Sequence, residues 1–192
     1  VAVSRLSSSV FTSEYNSHRI SEFNQSDGAF VRVLDTPGLV HPRAICLSPN
    51  EITLAVACAS NHCIKLISVD GSVASRTMGN ERGSGDGQFN TPLDVRFTPD
   101  GQQLVVADCS NNRVQCLALD GSFMRKMPLG DVAVAMAVDA AGNIIATTKK
   151  HVKVFSPEGT LLHDRLGGLE MGGAALGGLA IDPSSGRIAV GD

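Results

Sequence analysis

One stretch constrains this chain more than any other: GSGDGQFNTPLDVRFTPDGQQLVVADCSNNRVQCLALDGSFMRKM, residues 83–127, because the rest can be laid over it as better or worse copies. Val95 and Phe97 alternate with polar neighbours, and Pro99-Asp100-Gly101 turns the chain. Leu104 and Val106 alternate again, Ser110-Asn111-Asn112 turns it back, and Val114 to Leu119 runs on to a second turn at Asp120-Gly121. Period-two apolar runs separated by Asx, Gly and Pro read as four short strands joined by tight turns. Such a unit cannot bury its apolar surface alone and needs copies of itself alongside.

The copies are present. Val1 to Ile20 fits Val95 to Val114 without a gap, which puts Glu14 in the place of Asp108, His18 in that of Asn112 and Arg19 in that of Arg113. Pro42 to Gly71 fits Pro92 to Gly121 at a constant offset of 50. A fourth copy starts at Met136 and is about three residues short between its two marker turns, so its second turn is expected to be tighter; a fifth begins at Leu179 and stops at Asp192. Equivalent positions are 44, 50, 41 and 43 residues apart, which with four strands per unit points to propeller blades. Helices are a poor alternative, since Gly, Pro and Asx-Gly pairs interrupt every apolar run. Even Gly167 to Leu179, with six glycines, reads as a loop. The expectation is an all-β chain, one propeller domain over 1–192, with antiparallel four-stranded blades at about 1–37, 44–79, 94–129 and 135–166 and a partial one at 178–192. Val95, Phe97, Leu104, Val106 and Val114 are expected to point the same way into the core.

These residues carry a family resemblance. GDGQFNTPLDVRFTPDGQQLVVADCSNNRVQCLALDGSF closely resembles an NHL repeat, the blade of NHL-type six-bladed propellers, and EYNSHRISEFNQSDGAFVRVL and ACASNHCIKLISVDGSV look like further copies. The fourth copy lacks the acid and the Asn-Arg turn. The resemblance implies six blades, of which four and about half of another are in hand. It therefore predicts further blades or neighbouring domains of a longer chain, with the 192 residues alone aggregating or pairing and a full ring being monomeric and more stable to heat.

Antiparallel order sends the first and third turns of every blade to one side of the disc, and the second turns and inter-blade connections to the other. That second face carries Tyr15, His18, His41, Arg43, His62, Arg82, Asn111, Asn112, Lys149 and Lys150. Variable loops on a rigid scaffold are where binding surfaces are built, and the resemblance implies protein or RNA partners there. A protein partner suits the mixed charge of the face. The alternative is single-stranded RNA, as for the propellers of tripartite-motif ubiquitin ligases, with Lys149, Lys150, Arg43 and Arg82 on phosphates and Tyr15 or the histidines stacking bases. Three pairs of second-turn positions read as structural: Glu14 with Arg19, Asp108 with Arg113, and Cys58 with Cys63, where thiols replace the ion pair. The cysteines are predicted to approach closely, and to bridge only at a Cα separation of about 4.4 to 6.8 Å.

Composition and motifs exclude several classes. A net charge of -3 gives no global bias toward nucleic acid or anionic membrane, and no apolar run approaches the roughly 20 residues of a membrane span. Five cysteines, an odd number, suit reduced thiols and a cytoplasmic setting. Cys58, His62 and Cys63 read as an ordinary turn rather than a metal site, and no metal or cofactor is expected. Gly83 to Gly87 lacks the Lys-Ser/Thr and helix of a phosphate loop. No nucleophile elbow or His-Glu-x-x-His occurs. A channel-centred hydrolase or lyase would need oxygen ligands at the inner-strand starts, where Asp94 stands but Ala44, Ala135 and Gly178 stand elsewhere. The chain is therefore expected not to be an enzyme.

Overall fold

The computed structural model describes residues 1–79, 81–149, 151–164, 178–181 and 188–191. Blade 1 is β1 Ala2–Ser4, β2 Ser9–Glu14, β3 Arg19–Asn24 and β4 Phe30–Val33. Blade 2 is β5 Pro42–Leu47, β6 Thr53–Cys58, β7 Cys63–Ser68 and β8 Arg76–Met78. Blade 3 is β9 Pro92–Phe97, β10 Gln103–Asp108, β11 Arg113–Ala118 and β12 Phe123–Pro128. Blade 4 is β13 Ala133–Val138, β14 Ile144–Thr148, β15 Val152–Phe155 and β16 Leu161–Asp164, and β17 Gly178–Ile181 pairs with β18 Ile188–Gly191. Each sheet is an antiparallel meander in chain order. The first strand of each blade packs on the first strand of the next, from β1 through β5, β9 and β13 to β17, so these are the inner strands of an open arc of a β-propeller. Among the described residues the helical content is one 3-10 turn, Cys109–Asn111, and no helix is long and apolar enough to cross a membrane. The Gly-rich stretch read as a loop lies, up to residue 177, outside the described residues, as does Lys150.

Strand register reproduces the sequence alignment of the copies. Val95 pairs with Val106, Ile45 with Val56 and Ala2 with Phe11. In blade 4 Met136 pairs with Ala146, and Thr147 with Val152, against Ala107 with Val114 in blade 3. One residue is therefore missing from the first turn and two from the second, where the Thr148 amide donates to the His151 carbonyl at 2.8 Å.

Blades 2 and 3 bury both faces. On one side of blade 3, Val95, Phe97, Leu104, Val106 and Leu117 pack with Ala55, Ala57, Ile64 and Met78 of blade 2. On the other, Val105, Ala107, Val114 and Cys116 pack with Met136, Ile144, Ala146 and Phe155 of blade 4. Val114 thus does not point with Val95 and Val106. Its direct partner is Ala107, so it shares the blade 4 side, and Leu117, paired with Leu104, takes the place expected for it. Period-two alternation marks one face of a strand, whereas a blade between two blades is apolar on both. Each large aliphatic side chain so buried contributes about 1.5–3 kcal/mol relative to exposure.

Candidate interaction face

The second turns and connections are held by polar groups whose demands are met inside the fold. In blade 3 the fully buried Asp108 carboxylate accepts from Arg113 Nε at 2.7 Å, from Asn111 Nδ2 at 2.8 Å and from the Asn90 amide at 2.7 Å. Arg113 then donates to the Ser84, Gly85 and Gln88 carbonyls at 2.8, 2.8 and 2.9 Å, and Gln115 Nε2 also donates to Gln88 at 2.7 Å. A guanidinium presents five donors in a fixed fork, and here the fork clamps the connection preceding its own blade. A Cβ on Gly83 would meet the Gln88 side chain, which would have to swing aside. Lys65, at the position of Gln115, does the same work in blade 2 by donating to the Pro37 carbonyl at 3.0 Å.

Blade 1 has a lighter version. Arg19 Nε meets Glu14 at 2.8 Å, with the arginine side chain 46% exposed. Hydrogen bonds from Ser21, then Arg19, hold the Glu14 carboxyl below the usual carboxylate range. In blade 2 Cys58 and Cys63 are direct cross-strand partners, both buried free thiols. The Cys58 thiol donates to the Val56 carbonyl at 3.8 Å, and the interaction of the two facing sulfurs pushes Cys58 up and Cys63 down.

A second device joins consecutive blades. His18, His62 and Asn112 occupy the same turn position, all in the left-handed region with φ of 54°, 52° and 52°. His41 and Thr91, each just before the proline that opens the next inner strand, are also left-handed. The His41 amide donates to His18 Nδ1 at 3.1 Å and the Thr91 amide to His62 Nδ1 at 3.0 Å. Each histidine therefore accepts at Nδ1, which places its proton on Nε2, and ties its blade to the start of the next.

Around the first of these ties the candidate residues converge. The His41 ring stacks on Tyr15 with centroids 4.5 Å apart and meets His18 edge-on at 4.4 Å. The Arg43 guanidinium lies 4.5 Å from the centre of the Tyr15 ring, within cation–π reach. Ser60 Oγ lies 2.8 Å from His41 Nδ1, and Ser13 Oγ donates to the Arg43 carbonyl at 2.6 Å. Tyr15 stays 38% exposed. Arg43 also acts with Lys149 on Cys109: burial and Asp108 push that thiol up, and the two positive charges oppose the rise. Asn111 is spent in the Asp108 node, and Asn112 accepts at its carbonyl from the Leu129 amide at 2.9 Å. Arg82 is exposed, its backbone bridged to Phe89, and among the described residues no hydrogen bond or ring contact links it to the Tyr15 group. Tyr15, His18, His41 and Arg43 are thus brought together, while His62 and Asn111 serve the scaffold. Sequence reasoning missed Ser13, Ser60 and Cys109. Ser60 was legible as the counterpart of Ser110 in the same turn; Ser13 had no such signal.

Asp94, the channel-side acid, is buried and engaged. It accepts from the Val95 amide at 2.8 Å, from the Met136 amide of blade 4 at 2.8 Å, and from Arg96 at 3.1 Å. Among the described residues no group of three His, Cys, Asp or Glu side chains is placed to hold a metal ion.

With turn, node and register in place, residues 89–117 match the family model of the NHL repeat. Blade 3 carries an NHL repeat. The match spans the Asp108–Arg113 node and the two strands that present it, so the NHL signature here is the scaffold of the loop face. No curated protein matches the chain in sequence. Among solved structures it is similar to Kuenenia stuttgartiensis Hydrazine Synthase, with a TM-score of 0.76 and 16% identity over 98% of this chain and 53% of that one. The chain spans about half the length of that protein, and the likeness is one of fold.

Proposed function

We propose that this NHL-type propeller is a non-catalytic interaction scaffold that binds a protein partner through the face formed by the second turns and inter-blade connections. The observation that carries this reading is the Tyr15 group, an exposed tyrosine held between His41 and Arg43. Tyrosine and arginine are the side chains that dominate binding energy at protein interfaces, and anchors already fixed by their own neighbours lose little entropy on binding. The engagement of Asp94 by backbone amides and Arg96 speaks against a channel metal centre. The test is affinity capture with quantitative mass spectrometry, comparing the wild type with Tyr15→Ala and Arg43→Ala. A partner lost with both variants is the expected result; a partner list unchanged by either defeats the reading.

RNA is the second reading, favoured by the joint action of Arg43 and Lys149 at Cys109 beside an aromatic ring. The two separate by salt. Each phosphate contact contributes a slope of about -0.7 in log K against log salt for single strands, so RNA affinity falls steeply and protein affinity does not.

A further inference from the structure

The opposite face, built from first and third turns, contains a cavity of about 470 Å³ between blades 2 and 3. Leu66, Phe97 and Leu119 line it at the margin of the inter-blade core. Ile52 and Val73 also line it and are 61% and 69% exposed. A cleft of about 350 Å³ also lies between blades 3 and 4, but the apolar part of its lining is Pro99, Ala140, Ala141 and Pro157, beside Arg125 and Glu158, with no large aliphatic or aromatic side chain.

The outer strand beside the cavity is short. In blade 3 the Ala118 amide donates to the Ser122 carbonyl directly after the turn and β12 runs over six residues, whereas β8 has three, Arg76 to Met78. Residues 73–75 consequently run beside the cavity with no backbone hydrogen bond among the described residues. Unpaired amides and carbonyls along an apolar cleft are what an extended peptide uses when it adds as a strand. The charge around the cleft selects the peptide. Asp70 and Asp100 both line it; hydrogen bonds from Ser68 and Ser72 hold the Asp70 carboxyl down at about 2, and those from Thr98 and Gln102 hold Asp100 low. Arg76, also in the lining, donates one N–H to the Leu119 carbonyl at 2.9 Å and keeps its charge, so the two aspartates leave the lining with an excess of one negative charge.

We infer that this cleft is a docking site for an extended peptide segment of a partner protein, with a large apolar side chain seated over Leu66, Phe97 and Leu119 and basic residues beside it facing Asp70 and Asp100. The site is separate from the Tyr15 face and does not depend on the reading given for it.

The test is amide-resolved NMR titration of the whole protein with acetyl-Thr-Lys-Leu-Lys-Thr-amide. Saturable shifts at residues 72–76, Gln102 and Leu119 are expected, with affinity weaker by about tenfold or more for the Ile52→Ser, Val73→Ser double variant. Both side chains are mostly exposed, so that variant keeps its fold, which unchanged Tyr15-region resonances verify. Acetyl-Thr-Glu-Leu-Glu-Thr-amide should bind at least about tenfold more weakly, and acetyl-Thr-Lys-Gly-Lys-Thr-amide should give no saturable shift. No shift with the leucine peptide, equal affinity for the glycine peptide, or equal affinity for the glutamate peptide would each overturn the proposal.

Discussion

Cys58 and Cys63 face one another across β6 and β7 at the place where Asp108 and Arg113 face one another in the next blade. Direct antiparallel partners have Cα atoms about 4.5–5.5 Å apart, inside the range a disulfide spans. Under mild oxidation in the denaturant-free protein, peptide mapping should therefore find a Cys58–Cys63 bridge with Cys46, Cys109 and Cys116 still free. Bridges among the other cysteines, or none, would contradict the pairing.

The two ion pairs should differ sharply in weight. Among the described residues Arg113 is the sole guanidinium beside the fully buried Asp108 carboxylate, and removing one partner of a buried pair costs about 3–5 kcal/mol because the other charge is left uncompensated. Arg113→Ala should lower stability by that amount in urea titration. Arg19→Ala, at a half-exposed pair, should cost about 0–1 kcal/mol. Equal losses would show that the Asp108 node is not the clamp described.

For the histidine ties, His62→Ala removes an acceptor and leaves a left-handed alanine, at about 1 kcal/mol for the hydrogen bond and about 1–2 kcal/mol for the backbone. His62→Asn should recover most of the loss, because asparagine tolerates that conformation and stands there in blade 3. Hydrogen exchange at the Thr91 amide should quicken in the alanine variant. An unchanged rate would remove the tie.

Two aspartates should titrate in opposite directions. Asp70 is held at about 2 by Ser68 and Ser72, below the roughly 3.9 of an unfolded chain, so its contribution is present above pH 3.9 and is lost as pH falls toward 2. Burial pushes Asp94 up despite Arg96, so its ionisation weakens the fold and stability is regained as pH falls through its raised value toward 3.9. Carboxyl-carbon NMR should give a low midpoint for Asp70 and a high one for Asp94. In urea melts the stability advantage of wild type over Asp70→Asn should shrink below pH 4, while wild type gains on Asp94→Asn between neutral pH and pH 4. Coincident midpoints would refute the assignment.

Repeat length, strand number, turn positions and the pairing of Glu14 with Arg19, Asp108 with Arg113 and Cys58 with Cys63 were all readable from the chain. They are local: a turn of fixed length dictates which residues meet across it, and copies at regular spacing report the same local geometry several times. Other features needed the third dimension. The side taken by Val114 was already implicit in the Asp108–Arg113 pairing, which sets it opposite Ala107; what the neighbouring blades decided is that both faces of that sheet are buried. Tyr15, His41 and Arg43 belong to two blades and became one group only when the connection between them packed over the turn, as did Asp94 with Met136. The cavity between blades 2 and 3 draws its lining from both sheets beside the short β8, an arrangement of packing that no residue type announces. Sequence patterns encode contacts whose separation along the chain is small and fixed; contacts between blades depend on how whole sheets stack, and there the tertiary structure alone decides.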